Sequence, residues 1–165
     1  MVTEPLDVSR PFMFGGIPEP ALLPWSWAVD RLTREGSFWI ATTRPDGRPH
    51  TRPVWAVWRD GLHFSTGSAA LRNLVTNPEI TVHLDSGSEV VLLEGTAQQV
   101  TERDALVDIC EAYTAKYGYP MDPDHLPGPF WTVRLRVAFG WVADQAGRDN
   151  SSLFHGTATK WRFAD

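Results

Sequence analysis

The strongest pattern in the sequence is an alternation of apolar and polar residues near the C-terminal end. Between positions 131 and 142, the apolar residues Trp131, Val133, Leu135, Val137, Phe139 and Trp141 occupy every second position. A period of two is typical of a β-strand with one buried face. We therefore predict a strand here, with all six apolar side chains on the core face. Arg134 and Arg136 would lie on the other face, towards solvent or an acidic partner.

Shorter segments of β-type composition precede this strand, and turn residues separate them. The predicted strands cover residues 37–43, 50–58, 62–66, 79–85 and 89–100. Arg44-Pro45-Asp46-Gly47 and Arg59-Asp60-Gly61 are sequences typical of hairpin turns. Pro53 lacks a backbone donor, which predicts an edge or a bulge there. Gly95 predicts a bend in the fifth strand.

Three segments have the pattern of helices. Trp25, Ala28, Val29 and Leu32 form one apolar stripe between Pro24, expected as the first helical residue, and Gly36, expected at the end. A short helix follows residue 68 and ends at Asn77-Pro78. Residues 101–104 fit a capping box for a third helix that ends at Gly118. Six strands in hairpin order with about three peripheral helices predict a mainly β protein, an antiparallel barrel.

The chain is predicted to divide into an arm and one domain. Residues 1–23 are rich in proline and contain Gly15-Gly16, which indicates an extended arm without its own core. This arm either lies on a surface, such as that of a partner subunit, or forms a floppy tail. Residues 24–165 would form the barrel domain.

Composition and charge exclude several classes of function. The net charge of −5 argues against general binding of nucleic acid or of an acidic membrane. The single cysteine, Cys110, excludes a disulfide framework and is expected to be buried. The five histidines have no ligand spacing, so no metal site is expected. No signal core or membrane-length apolar run is found, and we expect a cytoplasmic protein.

The candidate chemistry lies between Arg48 and Leu74. The loop Ser65-Thr66-Gly67-Ser68 precedes a short helix and offers N–H groups and hydroxyls to an anion, with Arg52 and Arg72 as added positive charge. The same residues also fit a plain hairpin and connector with a solvated Arg52. No nicotinamide, nucleotide-phosphate or hydrolase motif occurs, and no catalytic side chain is predicted.

An ordered set of motifs resembles one known family. These motifs are Arg48-Pro49-His50 to Trp58, Phe64-Ser65-Thr66-Gly67, Arg72-Asn73-Leu74, Asn77-Pro78, Val91 to Thr96 and Ala158 to Phe163. Together they resemble the pyridoxamine 5'-phosphate oxidase-like family of flavin- and deazaflavin-binding split β-barrels, in its actinobacterial branch. The resemblance covers residues 25–163 and implies a six-stranded split β-barrel of Greek-key type.

The resemblance also implies a site and a partner. The family forms homodimers with cofactor sites at the interface, and the cofactor would be FMN or the 8-hydroxy-5-deazaflavin coenzyme F-420. By position, Arg52, Pro53, Val54 and Trp55 would lie along its ring. The ribityl chain and phosphate would be held by the loop and the helix after it, namely Ser65, Thr66, Gly67, Ser68, Arg72 and Asn73. Trp161 would cover the ring from the neighbouring subunit.

The sequence departs from the family pattern at two places. Ala69 and Ala70 stand where members often carry the basic residues that bind phosphate, and this should weaken binding about tenfold or more. Restoring lysine at position 70 would then be expected to tighten binding. Val90 stands where the vitamin B6 oxidase has glutamine, and the tail motif of that enzyme has no match, so that enzyme is not expected.

The resulting hypothesis is an oxidoreductase that transfers a hydride between the bound cofactor and a small planar organic substrate. The cofactor would carry the reactive atoms, and the protein would position the partners and exclude water. Two alternatives remain on the same fold. One is a protein that binds or sequesters the cofactor with little turnover, which Ala69 and Ala70 favour. The other is a protein that binds a tetrapyrrole.

Overall fold

The computed structural model describes residues 3–12, 21–143 and 156–164. These ranges contain nine strands and three helices. In chain order they are β1 (Asp7–Ser9), α1 (Trp25–Arg34), β2 (Phe38–Thr43), β3 (Pro49–Val54), β4 (Ala56–Trp58), β5 (Leu62–Ser65), α2 (Ala69–Thr76), β6 (Glu79–Leu84), β7 (Glu89–Gln99), α3 (Arg103–Tyr117), β8 (Phe130–Val142) and β9 (Thr159–Arg162).

All strand pairs are antiparallel, and the long strand β8 organises them. One edge of β8 pairs with β7 along most of its length. The other edge pairs with β5 through its first residues and with β9 through later ones. The sheet continues from β7 through β6 and β2 to β3, while β4 pairs with β5. The predicted mainly β split barrel with three helices is confirmed.

The structure has three more strands than the six predicted. The predicted strand over residues 50–58 is two strands, β3 and β4, with a break at Trp55. The others are β9 and β1, which pair with each other at the edge of the sheet. Residues 3–12 of the arm are thus attached to the barrel of the same chain. Residues 13–20 of the arm lie outside the described ranges.

A bulge at Gly95 changes the face that β8 presents. The register shifts between Glu94 and Gly95, so that Gly95 pairs with Leu135 and Glu94 with Val137. A Cβ at Gly95 would collide with the carbonyl oxygen of Arg134, which explains the glycine. The glycine therefore marks the position of a bulge, but the extra residue lies on β8 opposite Gly95, and the predicted bend of the strand that contains Gly95 stays a prediction.

The extra residue at this bulge is Arg136, which has no direct partner on β7. Before it, Trp131, Val133 and Leu135 are buried. After it, the buried residues of β8 are Ala138 and Gly140, whereas Val137, Phe139 and Trp141 are only partly buried. The prediction of six apolar side chains on one core face is wrong, because a one-residue shift turns the strand over. Arg136 itself forms an ion pair with Glu79 of β6.

The helices close the barrel and mostly begin and end where the sequence predicts. Helix α1 begins directly after Pro24 and buries Trp25, Ala28 and Leu32 in the main core. Helix α3 ends at Gly118, which adopts a left-handed conformation with φ of 65°. Its predicted capping box is wrong, because Glu102 is the N-cap and makes no side-chain cap. None of the helices in the described ranges is both long enough and apolar enough to cross a membrane.

A second, smaller core lies between α3 and the barrel. It joins Ile109, Cys110 and Tyr113 of the helix to Val57 and Phe130 of the strands. Cys110 is buried there, as predicted, and burial raises the pKa of its thiol. This core fixes α3 beside the break at Trp55.

Candidate functional site

The break between β3 and β4 is the point where the chain leaves one part of the sheet for another. Strand β3 pairs with β2, and Pro53 lies opposite Trp39 without an N–H to donate. Strand β4 pairs instead with β5. Trp55 lies between the two ladders, so the polar backbone groups around it need partners from elsewhere.

Side chains of α3 supply those partners. The Tyr113 hydroxyl donates to the Trp55 carbonyl oxygen at 2.6 Å. The Lys116 ammonium donates to the Ala56 carbonyl oxygen at 2.9 Å. The Ala56 N–H donates to the Tyr117 hydroxyl oxygen at 3.0 Å. Three residues of one helix face therefore hold the break in place.

The Trp55 indole lies flat against this helix. Its ring stacks on Tyr117 with a centroid separation of 4.6 Å and an interplanar angle of 6°. The residue is nevertheless 49% exposed. A half-exposed, oriented aromatic ring provides a platform on which another flat ring can stack.

Beside Trp55 lies an open hollow of about 460 Å³, within the size range of small-molecule sites. It is lined by Ser37, Arg52, Pro53, Val54, Trp55, Ser65 and Tyr113. The predicted ring-binding segment and Ser65 are therefore brought together. Ser37 and Tyr113 were not among the predicted residues.

The hydroxyl groups of the predicted anion loop already have hydrogen-bond partners within the protein. Ser65 donates to the Gly128 carbonyl oxygen, and the Thr66 and Ser68 hydroxyls lie 2.9 Å apart. The Ser68 oxygen caps α2 by accepting from the Ala70 N–H. Thr66 is buried, whereas Gly67 is exposed. These hydroxyls shape the loop, so its backbone is the better candidate for contact with a ligand.

Arg72 and Asn73 lie at a second hollow of about 340 Å³. Asn73 is 3% exposed, and its amide donates to the Thr42 hydroxyl at 2.9 Å. This buried contact ties α2 to β2, which gives Asn73 a structural role. Arg72 is exposed. The predicted residues are thus divided between two hollows.

Burial alters the titration of the groups that hold the break. It lowers the pKa of Lys116 to about 8, and it raises the pKa of the Tyr113 hydroxyl. Tyr113 therefore stays a protonated donor to Trp55 throughout the neutral range. Lys116 carries a charge below pH 8 and loses it in mildly alkaline solution.

Lys116 should accordingly react with amine reagents in mildly alkaline solution, since only the neutral amine is nucleophilic. We expect acetylation of Lys116 to rise with a midpoint near pH 8. Peptide mapping by mass spectrometry after brief labelling over a series of pH values measures this midpoint. A midpoint at the ordinary lysine pKa of about 10.4 would contradict the half-buried placement of Lys116.

The sequence profile described as pyridoxamine 5'-phosphate oxidase matches residues 28–165, most of the chain. The chain belongs to the pyridoxamine 5'-phosphate oxidase family. The family resemblance stated from the motifs is confirmed. No curated protein matches the chain.

Several solved structures share the fold. A conserved hypothetical protein from Mycobacterium tuberculosis is 22% identical, with a TM-score of 0.65 over 76% of this chain and 90% of that one. A structure described as F420 reductase is 21% identical, with a TM-score of 0.50 over 66% and 94%. A heme binding protein from Mycobacterium smegmatis is 18% identical, with a TM-score of 0.57 over 72% and 54%. Identities this low show the fold alone.

The two alanines that depart from the family pattern have different environments. Ala70 is 0% exposed and belongs to the main core. Ala69 is partly exposed and lines the hollow that contains Arg72. This burial argues against the expectation that lysine at position 70 tightens binding, because that side chain would enter the core. Position 69 is the place where a cation can face a ligand.

Trp161 does not lie at the ligand-facing position that the family resemblance implied. It is 0% exposed, and its ring packs against Trp25 with a centroid separation of 5.3 Å. The ring also lies where a Cβ on Gly140 would be, 2.7 Å from one of its atoms. The prediction that Trp161 covers a cofactor ring is corrected, because a fully buried indole in the barrel core is inaccessible to a ligand.

Two features of the site were missed from the sequence. Tyr113, Lys116 and Tyr117 of the third helix were not among the predicted site residues. Their hydroxyl and ammonium groups carried a usable signal, since a buried tyrosine hydroxyl needs a partner. The turn after β2, which lines the second hollow, gave no such signal in the sequence.

Proposed function

We propose that the chain is a flavin- or deazaflavin-dependent oxidoreductase that acts as a homodimer. It would transfer a hydride between FMN or coenzyme F-420 and a small planar organic molecule. The observation that carries this proposal is the hollow beside Arg52–Trp55, with the Trp55 indole half-exposed at its side. The family includes flavin- and deazaflavin-dependent oxidoreductases, and a structure with this fold is described as F420 reductase.

The residues that line the hollow fit a flat, partly polar group. Arg52, Pro53, Val54 and Trp55 would lie along the ring, and Ser65 and Gly67 would lie towards the ribityl chain. When bound, the cofactor supplies the hydride chemistry. The protein's contribution is orientation: Tyr113 fixes the Trp55 carbonyl, and Tyr117 fixes the plane of the Trp55 indole.

A second copy of the chain would complete the site. The hollow is open on one side, and closure is needed to exclude water from hydride transfer. Outward-facing Leu92 and Phe139, a cross-strand pair, give the sheet an apolar patch that a second copy can cover. Sedimentation equilibrium of the purified protein tests this directly.

Trp55→Ala should weaken cofactor binding about tenfold while leaving the fold intact. The reason is the loss of a stacking surface worth about 0.5–1.5 kcal/mol beyond the area it buries. Titration with FMN and with coenzyme F-420, followed by absorption and fluorescence, gives the affinities. Tyr119→Ala is the matched control, since Tyr119 is also a half-exposed aromatic residue, 53% exposed, on the loop after α3.

The proposal fails if neither cofactor binds to the unaltered protein below about millimolar concentration. If Trp55→Ala and Tyr119→Ala bind the cofactor with equal affinity, the cofactor does not lie in the hollow beside Trp55. Haem belongs in the same titration, because a heme binding protein shares the fold. If haem binds tightly and neither FMN nor coenzyme F-420 does, the result would support a tetrapyrrole-binding function and not an oxidoreductase.

A protein that sequesters the cofactor with little turnover is the second candidate. Ala69 and Ala70 favour it, since neither supplies the charge that family members use on phosphate. The two candidates differ in turnover. An oxidoreductase passes hydride from the reduced cofactor to a quinone or an enone, whereas a sequestering protein protects the reduced cofactor from both.

A further inference from the structure

The turn between β2 and β3 lies against the start of α2 and forms the second hollow with it. The hollow is lined by Arg44, Pro45, Asp46, Arg48, Ala69, Arg72 and Asn73. Three arginines from two separate segments therefore face one space of about 340 Å³. Arginine is the residue best suited to bind phosphate and carboxylate groups, through its planar fork of donors.

The balance of charge in this hollow is positive. Asp46 is the one carboxylate in its lining, and it already binds Arg48, with an Nε–Oδ2 distance of 2.9 Å and an Nη2–Oδ2 distance of 2.7 Å. Within the part of the chain that the structure describes, neither Arg44 nor Arg72 forms an ion pair with a carboxylate. The pKa of Asp46 is lowered chiefly by its hydrogen bonds with Arg48, and the charge of Arg44 adds to this effect. Two of the three guanidinium groups thus remain available for an anionic ligand.

The start of α2 adds to this positive potential. Ala69 is the first residue of the eight-residue helix and lines the hollow. The positive end of the helix dipole is therefore directed at the same space as the arginines. A lining that is rich in cations, with a helix start beside it, is suited to a ligand that carries oxyanions.

We propose that Arg44, Arg48 and Arg72 form an oxyanion site that takes the phosphate or carboxylate tail of the bound cofactor. This inference rests on the proposed function and extends it to a second hollow. The turn after β2 would supply the positive charge that Ala69 and Ala70 do not. The shared chemistry is an oxyanion, whether it belongs to a cofactor tail or to a free polyanion.

Titration calorimetry of the full chain with inorganic pyrophosphate at low salt tests the site. Arg44→Gln and Arg72→Gln should each weaken binding about tenfold, because each removes a charge-assisted contact. Asp46→Asn should strengthen binding several-fold. It removes the opposing charge and keeps the oxygen that accepts from the Arg48 N–H. Arg134→Gln is the control, since Arg134 is exposed on β8 and lines a different hollow.

Opposite effects of the arginine and aspartate variants are the signature of this site, and misfolding would not produce them. The inference is overturned if pyrophosphate does not bind, or if Arg44→Gln and Arg72→Gln bind it with the same affinity as Arg134→Gln. It is also overturned if Asp46→Asn weakens binding as much as the arginine variants do.

Comparison of FMN with riboflavin, which lacks the phosphate, identifies the source of the oxyanion. A cofactor tail in the site predicts that Arg44→Gln weakens FMN binding and leaves riboflavin binding unchanged, and that pyrophosphate competes with FMN. Binding of pyrophosphate without competition supports the same oxyanion site with a free polyanion as its ligand. Tight FMN binding with pyrophosphate affinity unaltered by the variants overturns this inference and leaves the proposed function in place.

Discussion

Trp161→Ala is expected to lower the free energy of unfolding by about 3–5 kcal/mol, the usual cost of truncating a buried aromatic residue to alanine. Trp161 is the largest of the fully buried side chains in the described part of the chain. It packs edge-on against Trp25 at 5.3 Å, and it fills the space that Gly140 leaves open. Few neighbours can move to fill a cavity of this size, since Gly140 has no side chain and β8 is held on both edges.

Urea unfolding followed by circular dichroism measures this effect. The comparison between variants is valid if the free energy of unfolding depends on urea concentration with the same slope in each. Trp161→Phe should lose less, since a phenyl ring retains much of the packing. Trp55→Ala serves as the matched tryptophan control. It also removes an indole, but the indole of Trp55 is half-exposed, whereas that of Trp161 is buried. A loss below about 1 kcal/mol for Trp161→Ala, together with weakened cofactor binding, would return Trp161 to a cofactor site.

The fold could be predicted from the sequence because its determinants are local. Hairpin turns such as Arg59-Asp60-Gly61 and the alternation in β7 and β8 are properties of a few adjacent residues. Gly95 marked the position of the bulge, because only glycine fits against the carbonyl of Arg134. These signals depend little on where the rest of the chain lies.

The features that were missed depend on distant partners. The reversal of faces in β8 requires the position of β7, which fixes where the extra residue, Arg136, is accommodated. The break at Trp55 forms because β2 and β5 accept different halves of one extended segment. The reversal has no signature within β8. Pro53 predicted an edge or a bulge within residues 50–58, but not that the two halves of this segment pair with different strands.

In the candidate site, too, features with a local sequence signal could be predicted, and features that depend on distant partners could not. The segment Arg52–Trp55 could be placed near a ligand from motifs, and the structure places it at a hollow. The helix that supports it was predicted from its two ends and not as part of the site, although Tyr113 and Tyr117 each carry a hydroxyl that forms a hydrogen bond with the break. Arg44 was predicted as a turn residue and Arg48 as the start of a family motif, and neither was predicted to lie beside Arg72, since that proximity arises only when β2 packs against α2.

Lysine at position 70 and lysine at position 69 are expected to have opposite consequences. Ala70→Lys should destabilise the protein by about 3–5 kcal/mol, the cost of an uncompensated buried charge. Ala70 is 0% exposed and contacts the main core, so a lysine there must bury its ammonium group or displace α2. Thermal unfolding monitored by circular dichroism should show a large decrease in the melting temperature.

Ala69→Lys should instead leave the fold intact and tighten oxyanion binding about tenfold, since the new ammonium would join Arg44, Arg48 and Arg72 around one hollow. Ala69→Met is the control, because methionine adds an unbranched side chain at the same position but no charge. Calorimetry with pyrophosphate and titration with FMN measure the gain, which salt should reduce. If Ala70→Lys proves stable and binds more tightly than Ala69→Lys, then residue 70 faces the ligand, and the family's basic position is functional in this chain after all.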